Sequence, residues 1–127
     1  MKAFLLLAAA LFMLQTAIAQ TSYTWNGSVS SSWTTPGNWT PNGIPGGADD
    51  VKIVTAGNIC ILNASTTIND IDLTSGTLDL NSATLTINGA SALFTSGTVQ
   101  NGNVVVSSAN TTRFGTGAVT MNCSVQI

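Results

Sequence analysis

Few residues of this chain could do chemistry, and the most distinctive of them are aromatic. The three tryptophans, Trp25, Trp33 and Trp39, and the only tyrosine, Tyr23, lie in one short stretch of a chain whose aromatic content is 6%. An exposed indole ring can stack on a sugar, so Trp33 and Trp39 are candidate carbohydrate-binding residues. Buried aromatic side chains can instead cover the open end of a hydrophobic core, so all four are also candidates for a structural cap.

The acidic residues offer little for catalysis. The chain has five aspartates but no glutamate and no histidine, so the usual carboxylate and imidazole partners of an acid–base mechanism are missing. Asp70 and Asp72 share one face of a strand by alternation, and Asp79 follows closely. The oxygens of Asp70 and Asp72 are a candidate Ca²⁺ site, with solubilising surface charge as the simpler interpretation. We predict no catalytic residue, no cofactor and no enzymatic activity.

The start of the chain has the pattern of a secretory signal peptide. Lys2 precedes an apolar run over residues 3–14, and Ala17-Ile18-Ala19 has the small-x-small form of a cleavage site. The run is too short for a stable membrane span. Residues 1–19 are therefore expected to be removed, which predicts a secreted or cell-surface protein whose mature chain does not insert into a membrane.

The charge of the remaining chain excludes two classes of partner. Only Lys52 and Arg113 are basic after residue 19. Two cations cannot neutralise a run of phosphates, so nucleic-acid binding is not expected. A polybasic membrane anchor is excluded for the same reason. Surface glycans and other cell-surface proteins remain as possible partners.

Four stretches of the sequence repeat at an interval of about twenty residues. They align on Gly57, Gly76, Gly97 and Gly117, where we expect the chain to turn with positive φ. Large apolar residues recur three positions before each glycine and two and four positions after it, with Asn101 as the one exception. Alternation of this kind indicates strands with one buried face. The repeat predicts an all-β fold, a parallel β-solenoid of about four coils over residues 51–127; an antiparallel β-sandwich is the alternative.

The alignment also predicts which side chains stack inside the solenoid. One expected column is Val54, Leu73, Phe94 and Phe114, and another is Ile59, Leu78, Val99 and Val119. Cys60 should then face outward on the first coil, and Cys123 should lie on the fourth. Since three coils separate the two thiols, no disulfide is expected. Asn101 should lie in a bulge or point inward with hydrogen-bond partners.

Residues 20–50 precede the first coil and are expected to cap it, because a solenoid must protect the end of its core. Their sequence resembles a tryptophan-rich module of large secreted and surface, adhesin-like proteins of Bacteroidota and similar bacteria. The resemblance rests on W-x-G, W-x-x-x-x-N-W and a following acidic V-x-I segment, formed here by Trp25, Gly27, Trp33, Asn38, Trp39, Pro45, Asp49, Asp50, Val51 and Ile53. The resemblance implies a β-helix-like region after the motif, and it identifies no catalytic residue in this chain.

These observations predict a non-enzymatic, structural or adhesive β-solenoid module of a secreted or cell-surface bacterial protein. A carbohydrate-binding module with exposed tryptophans is one alternative. The N-terminal fragment of a polysaccharide-degrading β-helix enzyme is another. Because the segment Met121–Ile127 reads as a strand of the fourth coil, we expect either further coils after it or end-to-end self-association of the chain.

Overall fold

The computed structural model describes residues 19–107 and 111–127. The predicted signal peptide, apart from Ala19, lies outside the described residues. The described chain folds as a parallel β-solenoid of about four turns at a spacing of about twenty residues, with one short 3₁₀ helix at Pro36–Asn38. The described residues contain no helix with the length and apolarity needed to cross a membrane.

Twelve strands follow one another in the described chain. The N-terminal cap contributes β1 (Ser22–Trp25) and β2 (Trp39–Thr40). The first coil consists of β3 (Asp50–Ile53), β4 (Cys60–Ile61) and β5 (Thr66–Ile68), and the second of β6 (Ile71–Leu73), β7 (Thr77–Asp79) and β8 (Thr84–Ile87). The third consists of β9 (Ser91–Phe94) and β10 (Gly97–Val106), and the fourth of β11 (Thr111–Phe114) and β12 (Val119–Gln126).

The strands stack in parallel from coil to coil. One sheet runs in the order β11-β9-β6-β3-β1-β2, so that the cap strand β1 extends it below the first coil. On the other side, β10 pairs with β7 through its first half and with β8 through its second half, and β12 lies beyond it. Each coil therefore has three strand positions, of which the last two merge into one long strand in the third and fourth coils. Parallel pairing throughout the coils confirms the solenoid and rules out the sandwich.

Apolar side chains alternate inward and form columns along the axis. Ile53, Leu73, Phe94 and Phe114 occupy equivalent positions in the four coils, and so do Cys60, Leu78, Val99 and Met121. The pairing of Leu78 with Val99 was predicted, but three members of the predicted columns were wrong. Val54 and Ile59 are 39% and 43% exposed, and Val119 pairs with Gly97 instead of Val99.

The errors have one physical cause, which is the length of the first turn in each coil. Four residues separate Leu73 from Leu78 in the second coil, but six separate Ile53 from Cys60 in the first. The fourth coil also has six residues in this turn, and the third has four. Aligning the repeats on their glycines without gaps hides the two extra residues, so the strand register on either side is displaced. Cys60 consequently faces inward and is buried.

The turn length also decides which glycines need a left-handed backbone. Gly76 and Gly97, in the two short turns, have φ of 81° and 100°. Gly57 and Gly117, in the two longer turns, are not in the left-handed region, so positive φ was wrongly predicted for them. A Cβ at Gly76 would lie 2.5 Å from the carbonyl oxygen of Thr55. The short turn thus needs glycine for its conformation and for the close approach of the coil below.

Candidate functional site

The tryptophans form a closed cluster beneath the first coil. Trp25, Trp33 and Trp39 are 1%, 1% and 2% exposed. Trp39 lies at the centre, with its ring edge-to-face at 4.9 Å from Trp25 and 4.8 Å from Trp33, and Tyr23 packs at 6.4 Å on a further side. Because a ring that stacks on a sugar must be exposed, the burial of Trp33 and Trp39 gives no support to the expectation that they bind carbohydrate. All four aromatic residues belong to the cap.

The cap is joined to the first coil by backbone and indole hydrogen bonds. Trp25 Nε1 donates to the carbonyl oxygen of Asn58 at 2.8 Å. The backbone N–H of Trp33 donates to the carbonyl oxygen of Ile61 at 2.9 Å, and β1 pairs in parallel with β3. The cap therefore provides a complete first layer under the solenoid and covers its apolar core at that end.

Asn38, which sequence reasoning treated only as part of a motif, holds the loop of the cap together. It is completely buried. Its Oδ1 accepts hydrogen bonds from the backbone N–H groups of Val29 and Ser30, both at 2.9 Å. Its Nδ2 donates to the carbonyl oxygen of Ser32 at 2.8 Å and to Ser30 Oγ at 2.9 Å. A buried amide that satisfies four partners has an architectural role, not a binding role.

The candidate Ca²⁺ ligands Asp70 and Asp72 line one groove together with Asp50, Lys52 and Ser91. Asp70 Oδ1 accepts a hydrogen bond from the backbone N–H of Ser91, at 2.9 Å, and so joins the second coil to the third. Asp72 lies on β6 opposite Lys52 of β3 and Leu93 of β9. Within residues 19–107 and 111–127, no group of three or more His, Cys, Asp or Glu side chains is placed to hold a metal ion.

A polar groove lies at one corner of the solenoid. It has a volume of about 570 Å³ and is lined by Asp79, Asn81, Ser82, Asn101, Gly102 and Asn103. Asp79 accepts hydrogen bonds from the backbone N–H of Asn81 at 2.8 Å, from Gln100 Nε2 at 2.9 Å and from Asn101 Nδ2 at 2.8 Å. Partial burial raises the pKa of Asp79, but these hydrogen bonds from Gln100, Asn81 and Asn101 outweigh it and lower the pKa overall.

Unusual backbone conformations concentrate in the same groove. Asn81, Ser82 and Asn101 have φ of 49°, 66° and 61°, and among the described residues no other residue except glycine has positive φ. A β-bulge between Gln100 and Asn103 places Asn101 on the outside. This is the first of the two alternatives predicted for Asn101. Bulges are frequent at sheet edges and next to active sites, and left-handed residues other than glycine cluster at functional sites. The groove presents an ionised carboxylate among amides and a hydroxyl, without a cation.

The last coil of the described chain is the second candidate surface. Within the described chain, β11 pairs only with β9 and β12 only with β10, so their outer edges have no strand beside them. Phe114 stacks on Phe94 of the coil below at 5.8 Å, but its other face is exposed. Val125 and Ile127 are exposed as well. The last coil of the described chain therefore presents apolar side chains on its outer side.

A comparison of the chain with protein-family models, with curated proteins and with solved structures finds no match. Its function is therefore inferred from the geometry of the chain itself.

Proposed function

We propose that this protein is a non-enzymatic structural module, secreted or held at a bacterial cell surface, whose outer faces adhere to other surface molecules. The observation that supports this role most directly is the composition of those faces. Thr77, Thr98 and Thr120 stand in register on successive strands, and Thr67 and Thr86 form a second column. With neighbouring strands about 4.8 Å apart, such columns present regularly spaced hydroxyl groups on a rigid and nearly uncharged surface.

Adhesion without catalysis can be tested with the purified protein immobilised on beads and offered a panel of polysaccharides. We expect retention of one or more polysaccharides, with no change in their chain length and no new reducing ends. Release of shortened chains would contradict the non-enzymatic role and favour the polysaccharide-degrading alternative. Absence of retention on any polysaccharide or purified surface protein would contradict the adhesive role.

The proposed location has a separate test. When the gene is expressed with its own start, the exported protein should begin at Gln20, as read by N-terminal sequencing. Changing Ala17 and Ala19 to bulky residues should block cleavage. Recovery of the uncleaved chain in the cytoplasm of the wild-type strain would contradict a secreted location.

Carbohydrate binding at the Asp79 groove is the second candidate function. It is supported by the carboxylate of Asp79 lying beside the side chains of Ser82 and Asn103, since carboxylates and amides are suited to pairs of sugar hydroxyl groups. Calorimetry with neutral oligosaccharides should show at least about tenfold weaker binding for Asp79→Asn, a loss of about 1.4 kcal/mol. Asp72→Asn, on a different face, is the matched control and should bind normally. Equal affinity of both variants would remove the groove as the binding site.

A further inference from the structure

Four asparagines of this chain are followed directly by glycine, and an asparagine in this position can lose its side-chain amide spontaneously. The four pairs are Asn26-Gly27, Asn42-Gly43, Asn88-Gly89 and Asn101-Gly102. In this reaction the backbone nitrogen of the glycine attacks the side-chain carbonyl carbon of the asparagine, and the absence of a Cβ leaves the approach open. Because all four pairs share this local chemistry, the fold decides which of them reacts in the folded protein.

Three of the four pairs have their attacking nitrogen in a hydrogen bond. The backbone N–H groups of these glycines donate to carbonyl oxygens of other segments: Gly27 to Asn38 at 3.2 Å, Gly43 to Pro36 at 3.2 Å, and Gly89 to Asn69 at 2.7 Å. Each of these hydrogen bonds must break before the nitrogen can reach the asparagine side chain. The fold therefore protects these three pairs from the reaction.

The fourth pair, Asn101 and Gly102, lies in the β-bulge of the third coil. Strand pairing passes directly from Gln100 to Asn103 on both sides of β10, so in the described chain neither residue has a register partner in β7, β8 or β12. The side chain of Asn101 is exposed, and its Nδ2 donates to Asp79 Oδ2 at 2.8 Å. Gly102 thus lacks the strand partner that would hold its nitrogen in place.

We propose that Asn101 is a site of spontaneous deamidation, which gives the groove beside it a second carboxylate as the protein ages. The nitrogen of Gly102 bonds to Cγ of Asn101, the bond from Cγ to Nδ2 breaks, and the side-chain nitrogen leaves as ammonia with the proton that the backbone nitrogen gives up. Water then opens the cyclic imide at one of its two carbonyl carbons and leaves aspartate or isoaspartate at position 101. The net reaction consumes water and releases ammonia, so it needs no oxidant and no second protein.

The architecture of the bulge requires both residues of this pair. Asn101 has φ of 61°, a left-handed conformation that asparagine, aspartate and glycine adopt most readily. A Cβ at Gly102 would lie 2.5 Å from the carbonyl oxygen of Ala83 and 2.5 Å from Cβ of Leu80, so a side chain there would displace the coil below. Aspartate can therefore take the place of the asparagine within the bulge, whereas the glycine that permits the reaction cannot be exchanged.

The reaction changes the charge of the groove. In the unmodified chain the amide of Asn101 donates to Asp79, whereas the product removes this hydrogen bond and places a second carboxylate against the first. The described residues that line the groove include no lysine or arginine to offset the added charge. An effect of the modification on carbohydrate binding rests on the carbohydrate site proposed above for this groove, but the deamidation itself does not.

Mass spectrometry of aged protein tests the modified site. The purified protein is kept at physiological temperature and mildly alkaline pH, and peptide fragmentation locates the mass increase that accompanies the change from amide to carboxyl. We expect Asn101 to react at least about fivefold faster than each of the other three asparagines, the factor that corresponds to one net hydrogen bond. Enzymatic methylation should detect isoaspartate, which only the imide route produces. In urea all four sites should react at similar rates, which is the control for the effect of the fold.

Equal protection of all four sites in the folded protein would overturn the proposal, and so would a faster reaction at one of the other three. The same order of rates in urea would show that the flanking sequence selects the site and the bulge does not. Deamidation of Asn101 without isoaspartate would contradict the attack by the nitrogen of Gly102.

A double-mutant cycle tests the effect of the new carboxylate on Asp79. Asn101→Asp imitates the product, and its urea unfolding midpoint should lie below that of the wild type at low salt and approach it at high salt, because salt screens the repulsion. In the Asp79→Asn background the same substitution should lose this salt dependence. Equal salt dependence in both backgrounds would overturn the proposed change in the groove. Neither readout involves a carbohydrate, so failure of this proposal and failure of the carbohydrate site are distinguishable.

Discussion

At the scale of single residues, stability depends on a few buried polar groups that the surrounding loops cannot replace. Asn38 is the clearest case, since its amide satisfies two backbone N–H groups and one carbonyl group of a loop with no regular secondary structure. Without such an amide, the backbone between Val29 and Ser32 would have no partner at these positions. The short W-x-x-x-x-N-W sequence therefore encodes a packed turn, in which Trp39 Nε1 also donates to the carbonyl oxygen of Trp33 at 2.8 Å.

Replacing Asn38 with alanine should therefore destabilise the cap substantially. We expect the free energy of unfolding to fall by about 2–3 kcal/mol, because partly buried donors and an acceptor are left unsatisfied. Urea denaturation followed by tryptophan fluorescence measures the loss. Asn26→Ala is the control, since the side chain of Asn26 is exposed and its loss should cost less than about 1 kcal/mol. Equal effects of the two substitutions would contradict the central role of Asn38.

Asp79 should make a small contribution to stability that depends on pH. Its pKa is lowered in the folded state, so the contribution is fully present above the ordinary carboxyl pKa and is lost as the pH falls through the lower folded value. The effect is small because the carboxylate is largely open to solvent. Unfolding midpoints measured for the wild type and Asp79→Asn should therefore differ at neutral pH and converge in acid. A difference that grows in acid would contradict the direction of this shift.

At the scale of elements, the turns determine how the coils fit on each other. Gly76 combines φ of 81° with close contact to the carbonyl oxygen of Thr55, so a side chain there meets two obstacles at once. Gly76→Ala should cost about 2–4 kcal/mol through backbone strain and displacement of the coil below. Thermal or urea unfolding measures the cost.

Gly46 supplies the matched control for this substitution. A Cβ at Gly46 would have as its nearest neighbour Asp49 Oδ2 at 3.8 Å, and its backbone is not left-handed. Gly46→Ala should change the free energy of unfolding by less than about 1 kcal/mol. If Gly76→Ala were tolerated as well as Gly46→Ala, the tight stacking of the short turns would be in doubt.

The same turns explain how far the fold could be predicted from the sequence. The repeat length and most strand faces followed from glycines and alternating apolar residues, and the cap followed from the cluster of tryptophans before the first coil. The register of the first and fourth coils could not be predicted in this way, because a turn can gain two residues without losing its glycine. The Asp79 groove was also missed, since it depends on contacts with Gln100 and Asn101 in the next coil. The only sign of this groove in the sequence was Asn101, the one polar residue at the aligned apolar positions. A bulge at Asn101 was one of the two predicted alternatives.

At the scale of the whole molecule, the difference between the two ends should appear as a gradient of local stability. Every coil contacts only its neighbours, the first coil lies on the cap, and the last lies on one coil alone. Backbone amides of β12 should exchange with solvent fastest and those of β1 and β3 slowest, as measured by hydrogen exchange and mass spectrometry. Uniform exchange along the chain would contradict the nearest-neighbour organisation.

The N-terminal position of the cap also affects how the chain can fold during synthesis. The hydrogen bonds of the cap reach no further along the chain than Asn69, so the first layer can be completed as soon as the first coil has emerged. Each later coil then pairs with residues about twenty positions earlier, on a strand that is already in place. The order in which the polypeptide appears is thus the order in which its layers assemble. During synthesis from the N-terminus, each new coil can therefore bury its apolar side chains against residues that have already been made.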